Sequence, residues 1–174
     1  MKKFLVVVDM QKDFVDGSLG TAEAVAIVPN VVKKIREFDG DIFVTYDTHG
    51  RDYLNTSEGR KLPVVHCVKD TEGWQLDKDV AKALEGRQFT AVEKPTFGSV
   101  ELPSLVAEAA KGEDFSVEVI GLCTDICVVS NALMLKANFY EKDIIVDSSC
   151  CAGVTPESHE AALTTMRMCQ IDVI

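Results

Sequence analysis

Val119–Leu133 reads VIGLCTDICVVSNAL. An apolar run reaches Leu122, a tight turn follows, and apolar residues resume at helical spacing. A buried strand passing straight into an apolar helix is a building unit of parallel sheets, whose strands need helical crossovers. Cys123 and Cys127 stand at the junction, with Thr124 and Asp125 between them.

The same alternation extends along the chain. Phe4–Val8 is a continuous apolar, mostly β-branched run that ends at Asp9, and Asp41–Tyr46 is a second strand. Gln88–Glu93 is a third strand, ended by Lys94 and Pro95, and Val117–Leu122 is a fourth. Asp143–Val146 and Ile171–Ile174 complete six. Helices are predicted from Pro29 and Asn30 to Gly40, over Asp77–Leu84, Leu102–Ala110, Asp125–Ala137 and Pro156–Met168. Residues 47–71 are polar and aperiodic, and a loop that long in a compact domain is usually functional. The expected fold is a single-domain, three-layer α/β/α over residues 1–174 with a mainly parallel six-stranded sheet.

With 28 acidic against 18 basic residues the formal net charge is -10, which argues against nucleic acid as a partner because phosphate contacts need clustered cations. No stretch approaches the roughly 18 apolar residues of a membrane span. The start, MKKFLVVVDMQKDF, lacks the long apolar core and small-residue cleavage site of a signal peptide. A cytoplasmic location is expected, with the six cysteines reduced.

Sheets of this kind bind ligands beyond the carboxyl ends of their strands. Asp9 follows the first strand, Asp47 and His49 the second, Lys94 the third, and Cys123 and Cys127 the fourth. A cysteine in the first turn of a helix, with Thr124 as N-cap, meets free N–H groups and a partial positive charge that favour thiolate. A nearby lysine would lower its pKa further, and a carboxylate could carry the proton to a leaving group. Together these residue types make an acyl-transfer site. Each one taken singly has an ordinary structural explanation, such as a small core thiol.

Asp47, His49, Glu58 and His66 form a second constellation. Asp47 and His49 lie two apart at a strand end, so both can face one cavity. Two imidazoles and a carboxylate suit Zn²⁺, Fe²⁺ or Mn²⁺. Solvated histidines in an acidic loop are the competing explanation.

DMQKDF (Asp9–Phe14), EKPTFGS (Glu93–Ser99) and GLCTDICV (Gly121–Val128) resemble the motifs of the isochorismatase-like cysteine hydrolases. The resemblance implies a catalytic triad of Asp9, Lys94 and Cys127, a cis peptide between Leu122 and Cys123, and an oxyanion hole from the Cys123 and Cys127 amides. The segment HCVKDTEG (His66–Gly73) is similar to that of nicotinamidases. It implies a divalent metal, zinc first, on Asp47, His49 and His66, with Glu58 as a further ligand. Leu62 stands before Pro63 where many nicotinamidases carry Trp, so Phe14, Phe97 or Trp74 is expected to supply the substrate wall beside Leu62.

The implied activity is hydrolysis of nicotinamide to nicotinate and ammonia, a step of NAD salvage, with a small amide substrate and a homo-oligomeric assembly. Two alternatives stay open. One is an amidase acting on another small amide or an N-carbamoyl or ureido compound. The other is a thiol or metal sensor using Cys123, Cys127, Cys150 and Cys151. His159 receives no role and is expected on a helix surface, and Cys150 and Cys151 enter only through the sensor alternative.

Overall fold

A computed structural model describes the whole chain, Met1–Ile174. Six strands form one sheet in the order β3-β2-β1-β4-β5-β6, and every neighbouring pair is parallel. The strands are β1 Lys2–Val8, β2 Asp41–Asp47, β3 Phe89–Lys94, β4 Phe115–Leu122, β5 Asp143–Ala152 and β6 Asp172–Val173. The helices are α1 Lys12–Val15, α2 Ala22–Glu37, α3 Ser57–Lys61, α4 Lys78–Leu84, α5 Leu102–Ala110, α6 Val129–Asn138 and α7 Pro156–Met168.

The unbroken apolar run of β1 is explained by burial on both faces, as expected of a central parallel strand. Phe4, Val6 and Val8 join one core with Leu102 and Val106 of α5, Ala132 and Leu135 of α6, and Leu163 and Met166 of α7. Leu5 and Val7 point the other way, into a core with Val31 and Ile35 of α2 and Val80 and Leu84 of α4. Two such cores make the three-layer α/β/α architecture, and the sheet is wholly parallel.

The predicted bounds of α5 and α7 coincide with the observed ones; others differ for identifiable reasons. Helix α2 begins at Ala22, not at Pro29, because Thr21 is its N-cap and accepts from the Ala24 amide at 3.0 Å. Pro29 lies inside the helix, where proline costs about 3 kcal/mol. Burial of Ala24, Ile27, Val28, Val31 and Ile35 along one face offsets that cost. Strand β5 continues past Val146 to Ala152, since a register shift against β4 between Val119 and Gly121 lets Cys151 and Ala152 pair again. The 47–71 segment is not structureless; it contains a 3₁₀ turn at Tyr53–Asn55 and α3.

Strand order reverses between β1 and β4, and such a switch point opens a crevice at the carboxyl ends of the strands. Asp9 leaves β1 there, and Cys123 leaves β4. On the β2–β3 side, Asp47 pairs in register with Lys94. Gly121 sets the closeness of β1 and β4 at this point: its φ is +119°, and a Cβ there would lie 2.1 Å from the Val8 carbonyl oxygen. Gly121→Ala is expected to destabilise the fold by about 2–5 kcal/mol, from the left-handed φ and the clash together. Urea unfolding measures this, and a change within about 0.5 kcal/mol, the range of an ordinary surface substitution, would contradict it.

Candidate active site

Asp9 begins where β1 ends, and its φ of +46° turns the chain out of the sheet. A non-glycine residue in this region costs roughly 1–2 kcal/mol, which surrounding contacts must hold in place. The Thr45 hydroxyl donates to Asp9 Oδ1 at 2.6 Å. Lys94 Nζ lies 2.6 Å from Oδ2, off the hydrogen-bonding axis, so the contact is an ion pair and Oδ2 has no aligned donor. The same ammonium donates to the Thr96 carbonyl at 2.9 Å and to Cys127 Sγ at 3.6 Å. Asp9, Lys94 and Cys127 are all buried, so three strand tips bring carboxylate, ammonium and sulfur into mutual contact.

The charge balance differs from the sequence expectation. Burial pushes the Cys127 thiol well above its usual range, the Asp9 carboxylate adds to this, and Lys94 only partly opposes it. Burial and the Asp9 charge therefore favour the thiol form, against the bias toward thiolate expected from the helix position. Burial raises Asp9 too, against the pull of Lys94. For Lys94, burial alone would lower the pKa, but Asp9, Cys127 and Asp47 outweigh it and the ammonium stays charged. The Cys127 sulfur, the Asp9 carboxyl and the Lys94 ammonium thus form one buried cluster within which a proton can pass.

Cys127 lies in a π-helical turn, Thr124–Val128, in which the Ile126 and Val128 amides both donate to the Cys123 carbonyl, at 3.1 and 3.0 Å. Such single turns inside α-helices are frequent at functional sites. Thr124 is not the N-cap; the Cys123 backbone takes that position. The buried Thr124 hydroxyl instead meets His159 Nδ1 of α7 at 2.8 Å, so His159 is a half-buried partner of the turn and not a surface residue. The Leu122–Cys123 peptide is cis.

Asp47, His49, Glu58 and His66 converge, with their donor atoms all within 4.8 Å of one another. His49 Nε2 is 2.9 Å from Asp47 Oδ2 and 3.7 Å from Glu58 Oε1; His66 Nε2 is 3.4 Å and 3.7 Å from the same two oxygens. Four ligands around a tetrahedral zinc at about 2.1 Å would be separated by about 3.4 Å, so the observed spacings suit one cation. His66 Nδ1 donates to the Val64 carbonyl at 2.8 Å, which turns the ring so that Nε2 faces the carboxylates. Tyr53 packs against both imidazoles, with ring centroids 4.7 and 4.9 Å away. Burial would raise Asp47, but hydrogen bonds from His49 and His66 hold its carboxyl well below the usual range. Burial and the Asp47 charge raise Glu58. Lys94 Nζ is 3.8 Å from Asp47 Oδ1, so the two groups of residues adjoin.

A cavity of about 210 Å³ opens between them, lined by Cys123, Cys127, Asp47, Glu58 and His66 and by an apolar wall that includes Phe14, Leu62 and Phe97. Pockets for drug-sized ligands begin near 300 Å³, so this one suits a single small ring. Trp74 does not line it; its ring packs on Tyr46 at 5.2 Å and its Nε1 donates to Thr48 Oγ1 at 2.9 Å. Leu19, Thr21, Ile126 and Val154 complete the lining and escape sequence reading, since they carry no chemistry and three come from irregular loops or their edges. All six cysteines are free, and Cys150 and Cys151 lie buried outside the cavity lining.

A switch-point cavity with a sulfur, an ammonium and a carboxylate at one side is the arrangement of a hydrolase site. The Isochorismatase domain model matches residues 3–174, and the chain belongs to that family. A Bacillus subtilis (strain 168) relative, the uncharacterized isochorismatase family protein PncA, is 27% identical over 176 residues, covering 94% of this chain and 93% of the relative. The crystal structure of nicotinamidase/pyrazinamidase PncA from Bacillus subtilis superposes with a TM-score of 0.84 at 24% identity, covering 99% of both chains. Pyrazinamidase of Pyrococcus horikoshii in complex with zinc gives 0.80 at 25% identity over 100% of this chain and 99% of that one.

The buried pair sets a thermodynamic test. Lys94→Met strands two acidic groups and is expected to cost about 3–5 kcal/mol, as breaking a buried pair does. Adding Asp9→Asn should recover part of that loss. A double-mutant cycle by urea unfolding checks this, and strict additivity of the two losses would contradict the coupling.

Proposed function

We propose that this protein is a metal-containing cysteine amidohydrolase that converts nicotinamide to nicotinate and ammonia through a thioester on Cys127. The observation that carries the reading is Lys94 bridging Asp9 at 2.6 Å and Cys127 Sγ at 3.6 Å beside a small cavity that the four-donor cluster also borders. Asp47, His49, His66 and Glu58 would hold a divalent cation, with zinc favoured by the imidazole–carboxylate donor set. That cation supplies Lewis acidity and a docking point for a heteroatom of the substrate.

The residues then act in order. Asp9 takes the thiol proton, and Cys127 sulfur attacks the carboxamide carbon to form the C–S bond. The Cys123 and Cys127 amides stabilise the oxyanion. Asp9 returns its proton to the leaving nitrogen as the C–N bond breaks and ammonia departs. Water, deprotonated by Asp9, cleaves the thioester and releases nicotinate. Lys94 stays an ammonium throughout, holding the carboxylate and sulfur together and offsetting the negative charge that passes between them. Phe14 and Phe97 flank the ring.

The cavity lining favours a neutral amide over the N-carbamoyl and ureido acids. No lysine or arginine side chain borders it, while Asp47 and Glu58 do. Away from the cation that Asp47 and Glu58 would hold, a substrate carboxylate would find no cationic side chain on the wall. Of the four thiols in the sensor reading, Cys150 and Cys151 lie outside the cavity lining and only Cys123 borders it with Cys127.

Ammonia release from nicotinamide, pyrazinamide and an N-carbamoyl amino acid tests this directly. The first two should turn over and the third should not; the reverse order would overturn the assignment. Cys127→Ala should lower kcat by about a thousandfold or more, with the fold intact by circular dichroism. Extraction of the cation by a chelator should abolish turnover, and zinc should restore it.

A further inference from the structure

Gln11 is fully buried, yet neither the charge relay nor the donor cluster uses it. It stands two residues after Asp9, where the left-handed φ has already taken the main chain away from β2. The Asp9 amide still reaches the Thr45 carbonyl at 3.3 Å, and there backbone pairing with β2 stops. The Gln11 side chain continues it. Its Oε1 accepts from the Asp47 amide at 2.8 Å and its Nε2 donates to the Asp47 carbonyl at 2.9 Å. The second Nε2 hydrogen goes to the Trp74 carbonyl at 2.8 Å. Only one orientation of the amide satisfies one N–H and two carbonyls at once. On its other side the Gln11 backbone bridges Leu76, with Lys12 N donating to the Gln75 carbonyl and Asp77 N to the Met10 carbonyl, both at 2.8 Å.

We propose that Gln11 is a positioning residue: its side chain serves as a surrogate strand that fixes the backbone of Asp47, and so aims that carboxylate at its cation, from the same short segment that presents Asp9. The inference rests on the metal reading above but concerns a residue outside the donor set. Partners that orient metal ligands typically govern affinity by about 10- to 100-fold.

The test uses two variants and the unaltered protein. Gln11→Glu keeps the shape but faces the Asp47 and Trp74 carbonyls with oxygen; Gln11→Met keeps the volume and loses every hydrogen bond. Zinc affinity, read by competition with a chromophoric chelator, should weaken by about 10- to 100-fold in both. The rate at which iodoacetamide labels Cys127 should stay unchanged, since Asp9, Lys94 and Cys127 do not touch the Gln11 amide. Wild-type zinc affinity in both variants, or a parallel collapse of affinity and Cys127 labelling, would overturn the proposal. Hydrogen exchange on the wild type keeps the test decisive if neither variant folds: the Asp47 amide should exchange as slowly as those of Val44 and Thr45, and loop-like exchange would overturn the inference. A wild-type protein that binds no divalent cation would defeat the metal reading instead, leaving the exchange measurement to judge Gln11.

Discussion

The ion pair between Asp9 and Lys94 is the constraint on which the site depends. Both groups are shut off from solvent, and each would be costly to bury alone. Their partners are supplied locally: Thr45 to the carboxylate, the Thr96 carbonyl and Cys127 sulfur to the ammonium. The pair therefore demands that β1, β2, β3 and the turn after β4 all arrive at one place. A central sheet with a topological switch between β1 and β4 meets that demand with short segments at strand tips.

The donor cluster obeys the same logic with one loop added. Asp47 comes from the end of β2 and His49 from two residues beyond. Glu58 is delivered by α3, which Thr56 caps through the Gly59 amide at 3.0 Å. His66 comes from a segment tied down just after it, where Asp13 Oδ2 accepts from the Cys67 amide at 2.8 Å. The motif Asp9–Phe14 thus does four jobs in six residues: an acid at Asp9, a backbone brace at Gln11, a loop clamp at Asp13 and a wall at Phe14.

Much of this was legible in the sequence because the relevant signals are local. The β1 run declares a doubly buried strand, and the strand–helix alternation fixes which ends carry Asp9, Asp47, Lys94 and Cys127. The structure brings together the same residues that the motifs single out. What escaped reading depends on long-range contacts. The hydroxyl of Thr124 looks like a cap until α7 brings His159 to it. Trp74 looks like a ring wall until Tyr46 and Thr48 claim it. Thr21 is an unremarked threonine until the helix after it proves strong enough to absorb Pro29. The thiol of Cys127 looks activated by its helix position, but burial beside Asp9 reverses the sign, and burial cannot be read from one segment.

The in-register pairing of Asp47 with Lys94 carries a consequence for assembly of the enzyme. Strand side chains alternate between faces, so sliding β3 by a single residue along β2 would send the ammonium to the opposite side of the sheet. A misaligned chain would then leave Cys127 without the ammonium that lies 3.6 Å from its sulfur, so a single register fixes both the sheet and the charge beside the thiol.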